Sequence, residues 1–213
     1  MPLLSTFKEA FMDDNFAFWQ KSAKLYTLMQ EKKNSSMYKS TAKLCQKYIR
    51  GKTVLELACA TGQLTAPLAP LAGLWEATDF SPNMIKEAQN RNIPCASFCV
   101  QDATNLPYAS SSFDVVVIAN ALHIMPEPEI AIREIRRVLK PHGILIAPTF
   151  VYAGKENKLM LFLIKTFGFK VYHKWTDKEL TEFIESFGFK VMETQMLPAD
   201  PLPNCFTASQ NIK

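Results

Sequence analysis

The sequence predicts an α/β fold in which helices cover both faces of a mostly parallel sheet. Segments suited to strands alternate with segments suited to helices from residue 53 to residue 147, as in chains that build parallel sheets. Residues 113–119 are nearly all apolar and show no polar alternation, which indicates a strand buried on both faces. A chain of 213 residues is long enough for one such domain with a sizeable core.

The segment before the first strand is predicted to be helical. Aromatic and apolar residues at helical spacing indicate one or two amphipathic helices within residues 1–34. A further helix, capped by Ser35 or Ser36, is expected to reach residue 49 and to end before Gly51.

Five strands and three helices follow in alternation. The strands are expected at 53–57, 74–79, 95–100, 113–119 and 144–147. The helices are expected at 64–71, 81–91 and 127–139, and the first must be short because it contains Pro67 and Pro70. The Pro141-His142-Gly143 sequence is predicted to turn the chain from the third helix into the fifth strand.

The alternating pattern stops after Pro148. Residues 157–167 are apolar on nearly all sides, and Thr176 with Glu179 predicts a capping box at the start of a helix over 176–187. The last two strands are expected at 189–193 and 205–209, separated by a loop that contains several prolines.

Composition limits the function classes. The net charge is only +4 and the lysines are scattered, so a nucleic-acid partner is not expected. The chain has five cysteines, an odd number, with no CxxC pair and no signal peptide, which predicts a reduced, cytoplasmic protein. Cys95 and Cys99 are predicted to be core thiols and not metal ligands. No apolar run reaches the roughly 18 residues of a membrane span, so no transmembrane segment is expected.

The turn after the first strand has the form of a ligand site. A strand, a tight turn with Gly62 and a helix start place backbone N–H groups where a ligand can meet them. Glu56 at the end of the strand would repel a phosphate, but it could attract an ammonium group or accept from hydroxyls. A nucleotide with exposed phosphates is therefore disfavoured as the ligand.

Four stretches together resemble the class I S-adenosylmethionine-dependent methyltransferases, in the small-molecule branch that is similar to the enzymes of ubiquinone and menaquinone biosynthesis. The stretches are Val54-Leu55-Glu56-Leu57-Ala58-Cys59-Ala60-Thr61-Gly62, Ala77-Thr78-Asp79-Phe80-Ser81-Pro82-Asn83-Met84, Asp102-Ala103-Thr104-Asn105-Leu106-Pro107, and residues 113–143. The resemblance implies a Rossmann-like sheet of seven strands with the last antiparallel. It also implies S-adenosyl-L-methionine as cofactor and S-adenosyl-L-homocysteine as product.

The resemblance assigns one set of residues to the methionine end of the cofactor. Glu56 would help to hold the ammonium group, directly or through water, although it could instead cap a neighbouring helix. Asn120 would also lie at this end. The backbone of four residues in the turn would lie against the cofactor: Ala58, Cys59, Ala60 and Gly62.

A second set of residues is assigned to the nucleoside. Asp79 would accept from both ribose hydroxyls, or serve as a plain N-cap. Phe80 and Met84 would flank the adenine, or belong to the core. Asp102 with Ala103 would read the adenine edge, although an aspartate before a turn often has only a local role. Asp114 is expected to orient the edge of its strand without touching the cofactor.

The chain departs from the family pattern at three positions. Ala58 and Ala60 stand where the turn usually has glycine, and a methyl group at Ala60 occupies a position where the backbone can need positive φ or close approach to a ligand. His142 replaces a glycine at the opposite end of the sheet, where a structural role is expected.

Methyl transfer from a sulfonium is an in-line displacement that needs mainly positioning. The candidates for a base or a substrate contact are His123, His173 and a tyrosine of the N-terminal helices, Tyr26 or Tyr38. The family builds its substrate pocket from the N-terminal segment and from the insert after the fifth strand. Both are rich in aromatic residues and methionine here, so we expect a hydrophobic or aromatic small-molecule acceptor.

The resemblance gives one methyltransferase domain over residues 1–213. Its parts are a helical cap (1–49), a cofactor-binding core (50–150), a substrate-lid insert (151–175) and a closing helix with strands (176–213). The apolar run 157–167 has lysine neighbours, so it could instead touch a membrane surface or a second copy. The alternative functions are a catalytically silent methyltransferase-like binding module and a nicotinamide-dependent oxidoreductase.

Overall fold

The computed structural model describes residues 19–23, 34–152 and 170–213. Tyr26, most of the predicted N-terminal cap and the apolar run 157–167 lie outside the described residues. The α-helices are α1 Ser35–Ile49, α2 Thr65–Leu68, α3 Pro82–Gln89, α4 Pro128–Val138 and α5 Asp177–Ser186. The strands are β1 Thr53–Leu57, β2 Leu74–Asp79, β3 Ala96–Val100, β4 Phe113–Ile118, β5 Leu139–Ile146, β6 Thr149–Phe150, β7 Phe189–Leu197 and β8 Asn204–Asn211.

The described strands form one sheet, and its order confirms the predicted Rossmann-like topology. The order is β3-β2-β1-β4-β5-β8, with β7 on the far side of β8. β1 to β5 are parallel, and β8 runs antiparallel to both β5 and β7. The last strand is therefore antiparallel, as expected.

The predicted strand count of seven is wrong, because the described residues alone form a sheet of eight strands. The additional strand is β6, which pairs with β8 at Thr149 and Phe150, beyond the point where β5 pairs with the same strand. Pro148 lies between them and has no N–H to donate to a ladder. The fifth strand is thus divided into two pieces that share one position in the sheet.

Helices cover both faces of the sheet, as predicted. Alternate residues of the central strands enter two cores: Leu55 packs with α4 and α5 on one face, and Val54 packs with α1 and α2 on the other. Residues of β1 and β4 on both faces are almost fully buried. This burial explains why their sequences lack polar alternation.

Local signals at the helix ends were informative in most places. Ser81 caps α3 by accepting from Met84 N at 3.2 Å, and Thr176 and Glu179 form the predicted capping box of α5. The predicted cap of α1 is wrong, because Ser35 is already helical and Asn34 occupies the cap position. The Asn34 side chain instead exchanges hydrogen bonds with the backbone of Asp200.

Two expectations about the sheet edges need correction. Cys95 is exposed and Cys99 only half-buried, because β3 is an edge strand covered less well than the centre. The Pro141-His142-Gly143 sequence does not precede β5 but lies inside it, at a register irregularity, and His142 takes a φ of 61° there. His142 is exposed and far along the strand from the ligand edge, as expected for a structural role.

No helix among the described residues is long and apolar enough to cross a membrane.

Candidate functional site

A cavity of about 270 Å³ opens at the carboxyl ends of β1, β2, β3 and β4. This is the edge of a parallel sheet at which such folds bind ligands, because the loops that follow the strands converge there. The cavity brings together most of the predicted cofactor residues: Ala58, Ala60, Asp79, Phe80, Met84, Asp102, Ala103 and Asn120 line it.

The turn after β1 reaches the cavity through two alanines in an unusual conformation. Ala58 has a φ of 51° and Ala60 a φ of 49°, values that glycine adopts more easily. The turn therefore keeps the conformation of a glycine-rich turn while two methyl groups line the cavity. Gly62 has a φ of 81° and does not line the cavity, nor does Cys59, whose N–H donates to Thr78 O at 2.9 Å.

Asp79 is a buried carboxylate at the end of β2 that faces the cavity. It is only 4% exposed, and its two oxygens accept from Ala60 N and Ser81 N, each at 2.9 Å. Burial raises the pKa of Asp79 to about 6, while the two N–H donors act in the opposite direction. Each carboxylate oxygen still has a second lone pair. The N-cap alternative for Asp79 is wrong, because Ser81 caps α3, and the carboxylate keeps lone pairs with which to accept from a ligand.

The position of Asp102 is compatible with both roles considered from the sequence, namely a local role in its turn and a contact with a ligand in the cavity. Its Oδ1 accepts from Thr104 N at 2.8 Å and from Thr104 Oγ1 at 2.7 Å, which is the local turn arrangement. The residue nevertheless lines the cavity beside the buried Ala103. Phe80 is half-buried and Met84 is fully buried, and both contribute to the same wall.

Asn120 closes the cavity at the end of β4. Its φ is 56°, and its N–H donates to Pro148 O at 2.7 Å, so the chain turns sharply against the break in the fifth strand. Its Oδ1 accepts from Asn204 Nδ2 at 2.6 Å. Asn120 thus lines the same cavity as Ala58 and Ala60 of the turn after β1, where the methionine end was expected.

Glu56 does not line the cavity, and its side chain is directed at Thr65 and Trp75 instead. Its Oε2 accepts from Thr65 Oγ1 at 2.5 Å and from Trp75 Nε1 at 3.0 Å, and the residue is 2% exposed. Burial raises its pKa to about 7, and the charge of Asp79 acts in the same direction. Glu56 connects β1 to the first residue of α2 and to β2, which is close to the helix-capping alternative considered from the sequence.

The charges around the cavity have one sign. Three carboxylate residues line it, namely Asp79, Asp102 and Glu127, whereas no lysine or arginine occurs among the described lining residues. Such a lining favours a cation and disfavours a phosphate-bearing ligand. The sequence anticipated this preference from Glu56, but different carboxylates provide it.

A family model described as a methyltransferase domain matches residues 55–147. Those residues run from β1 to just beyond β5 and supply nearly all of the cavity wall. This central part of the chain is therefore similar to a methyltransferase domain.

Curated methyltransferases match this chain over part of their length. The demethylmenaquinone methyltransferase of Paenarthrobacter aurescens (strain TC1) is 41% identical over 100 residues, which cover 47% of this chain and 39% of that protein. The chain spans between 35% and 43% of the first three curated relatives that it matches. The resemblance to the menaquinone branch of the class is confirmed by these matches.

Solved structures share the fold over most of the chain. The putative methyltransferase in a complex with the Haloferax volcanii Trm112 methyltransferase activator is 20% identical, with a TM-score of 0.75 over 92% of this chain and 98% of that chain. The 1,6-didemethyltoxoflavin-N1-methyltransferase of Burkholderia thailandensis, solved with bound 1,6-didemethyltoxoflavin and S-adenosylhomocysteine, is 16% identical, with a TM-score of 0.75 over 94% of this chain and 88% of that chain. At these identities the likeness concerns the fold alone.

The two histidines considered from the sequence as a base or substrate contact lie next to each other and outside the cavity lining. His123 is 4% exposed, its ring packs edge-on against Phe150 at 5.8 Å, and its carbonyl accepts from the N–H groups of Tyr172 and His173. Burial lowers the pKa of His123 to about 3, and His173 adds to the effect. The His173 ring stacks on Trp175 at 4.9 Å. Neither histidine is among the lining residues.

Other predictions concern side chains outside the cavity wall. Tyr26 lies outside the described residues, and Tyr38 packs against the core on the α1 face. Asp114 accepts from Thr53 N at 2.9 Å and from Lys140 Nζ at 2.8 Å, so the prediction that it orients a strand edge is confirmed.

Several residues that line the cavity were missed from the sequence. Trp19 comes from the N-terminal segment, and Gln101 and Thr104 flank Asp102. A further group follows β4 at residues 124–127 and includes Glu127. The sequence signal that could have identified this group is its place in the segment that follows a parallel strand. Nothing in the pattern around Trp19 distinguished it from the other aromatic residues nearby.

Proposed function

We propose that this protein transfers a methyl group from S-adenosyl-L-methionine to a small acceptor, with S-adenosyl-L-homocysteine as the product. The observation that carries the proposal is the buried Asp79 carboxylate in a cavity whose described lining is acidic and contains no lysine or arginine. The match of residues 55–147 to a methyltransferase domain supports the same conclusion.

The residues around the cavity fit a cationic nucleoside. Asp79 already accepts one N–H on each oxygen, and a pair of ribose hydroxyls can use the remaining lone pairs. Met84 and Phe80 offer apolar and aromatic surface for a flat base, with the free oxygen of Asp102 beside them. Ala58 and Ala60 limit how closely the backbone approaches the ligand, because their methyl groups line the wall.

The bound cofactor supplies an activated methyl group on a sulfonium. The protein's part is to hold the acceptor atom in line with the leaving sulfur and to keep water from the site. The acidic lining favours the positive charge before transfer more than the neutral product after it. A base is needed only for an acceptor that must lose a proton.

His123 is our candidate for the residue that contacts the methyl acceptor, and His173 lies beside it. Burial keeps the His123 imidazole neutral at physiological pH, and its Nδ1 has no hydrogen-bond partner among the described residues. A group with a pKa near 3 is a weak base, so we assign it the role of hydrogen-bond acceptor toward the substrate. Tyr26 stays a prediction for the opposite side of the site.

The acceptor is proposed to be a hydrophobic or aromatic small molecule. The cavity wall is largely apolar, with Ile124, Met125 and Pro126 on the side that follows β4. His173, Trp175 and Phe183 form an aromatic group that is joined to the residue before this segment, because the His173 N–H donates to His123 O at 3.1 Å. Apolar walls with few polar groups are typical of sites for such molecules.

Two experiments test the proposal separately. Titration calorimetry with S-adenosyl-L-homocysteine, NADH and ATP should show binding of the first alone, whereas binding of NADH in its place would support an oxidoreductase. Transfer of labelled methyl from S-adenosyl-L-methionine to a panel of quinols, phenols and aromatic amines should then identify the acceptor. Binding without transfer to any of a broad panel would contradict the enzyme and support a silent binding module.

In the same calorimetry the Asp79→Asn variant should bind S-adenosyl-L-homocysteine more weakly, and its matched control is Asp114→Asn. Asp114 is a strand-end carboxylate like Asp79, but it accepts from Thr53 and Lys140 at the opposite end of the sheet. Its variant should bind S-adenosyl-L-homocysteine as the unmodified protein does, so a shared loss in both aspartate variants would indicate damage to the fold and not to the site.

A further inference from the structure

Residues 19–23 lie against the start of α3 and are held there by Gln20. The Gln20 Oε1 accepts from Ser81 Oγ at 3.1 Å and from Asn83 N at 3.2 Å. Its backbone carbonyl accepts from Asn83 Nδ2 at 2.7 Å. At the other end of the segment Ala23 is buried, with 4% of its surface exposed. Three hydrogen bonds and a buried alanine therefore fix this short helical segment on the rest of the domain.

The same segment contributes Trp19 to the wall of the cavity. Trp19 is half-buried and lines the cavity together with Phe80 and Met84. Because Trp19 directly precedes Gln20, the bonds that Gln20 makes to α3 also determine where the indole lies. The aromatic wall on this side is complete only when the segment is docked.

Ser81 joins the docked segment to the carboxylate of Asp79. Its N–H donates to Asp79 Oδ1 at 2.9 Å, and its hydroxyl accepts from Met84 N at 3.2 Å and donates to Gln20 Oε1. Ser81 is fully buried, so these contacts are protected from exchange with water. The segment and the nucleoside end of the cavity thus share one hydrogen-bonded residue.

We propose that Gln20 is a positioning residue that holds Trp19 against the nucleoside in the cavity, so that docking of residues 19–23 and cofactor binding stabilise one another. The inference rests on the proposed function, since it takes S-adenosyl-L-homocysteine as the ligand. By linkage, the factor by which docking raises ligand affinity equals the factor by which the ligand raises docking.

Two substitutions of Gln20 separate its hydrogen bonds from its bulk. Gln20→Leu keeps the size of the side chain and removes the acceptor, whereas Gln20→Glu keeps an acceptor oxygen for Ser81 and Asn83. Calorimetry should give binding of S-adenosyl-L-homocysteine about tenfold weaker for Gln20→Leu. Gln20→Glu should restore binding to within about twofold, as should the control Lys21→Leu at the exposed neighbouring position.

A double-mutant cycle tests whether Gln20 acts through Trp19. In a Trp19→Ala background the Gln20→Leu change should alter the affinity by only about twofold. Binding of the ligand should also change the tryptophan fluorescence of the unmodified protein, and Trp19→Phe should remove most of that change. Circular dichroism and the melting temperature of each variant will exclude unfolding as the cause.

The outcomes distinguish the two proposals. If the unmodified protein binds S-adenosyl-L-homocysteine and Gln20→Leu binds it equally well, the positioning role of Gln20 is overturned. An equal loss from Gln20→Leu in both Trp19 backgrounds overturns it as well, because Gln20 would then act by another route. If the unmodified protein binds no S-adenosyl-L-homocysteine, the proposed function fails instead.

Discussion

Substitution of Glu56 by glutamine separates a structural role of this buried acid from a ligand-binding role. The Glu56 Oε2 accepts from Thr65 Oγ1 and Trp75 Nε1, and a single amide oxygen in Glu56→Gln can accept from both. The amide carries no charge, so it avoids the desolvation that raises the pKa of Glu56 to about 7. We therefore expect Glu56→Gln to fold and to lose one source of pH dependence.

The direction and size of the effect follow from the pKa. A carboxyl group with a pKa near 7 in the folded state and 4.5 in the unfolded state binds more protons when folded, so its contribution to stability is full below pH 4.5 and is lost as the pH rises through 7. The difference between these two pKa values corresponds to about 3 kcal/mol in the free energy of unfolding. Relative to the unmodified protein, Glu56→Gln should gain up to about 3 kcal/mol in the free energy of unfolding between pH 4.5 and pH 8.

The assay is urea denaturation of both proteins across this pH range, with calorimetry of S-adenosyl-L-homocysteine binding at pH 7.5. Comparison of the two proteins cancels the contribution of His123, whose lowered pKa makes stability fall as the pH drops below 6.5. The affinity for the ligand should be unchanged, because Glu56 does not line the cavity. A constant stability difference across the pH range, or a tenfold loss of affinity, would refute this account of Glu56.

Three further predictions concern the site and its supports. Asp79→Asn should weaken binding of S-adenosyl-L-homocysteine by roughly 10- to 100-fold, because its amide group would face the N–H donors of Ala60 or Ser81; calorimetry that finds the same affinity would show that the ribose is held elsewhere. His142→Gly should raise the free energy of unfolding by about 1 kcal/mol, since it relieves a φ of 61°, and urea denaturation should detect this with ligand affinity unchanged. The His123 ring should show no titration by NMR between pH 5 and pH 9, and a midpoint near 6.5 would contradict its burial.

Much of the sheet could be predicted because its strands are buried on both faces. The runs that became β1, β2 and β4 are apolar or β-branched and end near acids or small residues, so their bounds were nearly correct. The division of the fifth strand by Pro148 was harder to foresee, because it depends on how β8 pairs with both pieces. The exposure of Cys95 was also hard to predict, because the sequence does not say that β3, which begins at the next residue, lies at the edge of the sheet.

The site was predictable where a residue's position in the chain determines its position in the sheet. Asp79 is the last residue of β2 and Asn120 comes two residues after β4, and both line the cavity. Glu56 also lies at a strand end, but its side chain points to Thr65 and Trp75, and the direction of a side chain depends on packing across elements. Trp19 was missed because its position depends on the hydrogen bonds that Ser81 and Asn83 donate to Gln20. These donors are distant from Gln20 in the sequence.

The central claim is that the Asp79 carboxylate holds the ribose of S-adenosyl-L-methionine in the cavity at the ends of β1 and β2. A crystal structure of the complex with S-adenosyl-L-homocysteine tests this most directly. The account predicts that both ribose hydroxyl oxygens lie about 2.5–3.0 Å from the oxygens of Asp79. A ligand whose ribose has no hydrogen bond to Asp79, or which occupies another part of the surface, would contradict it.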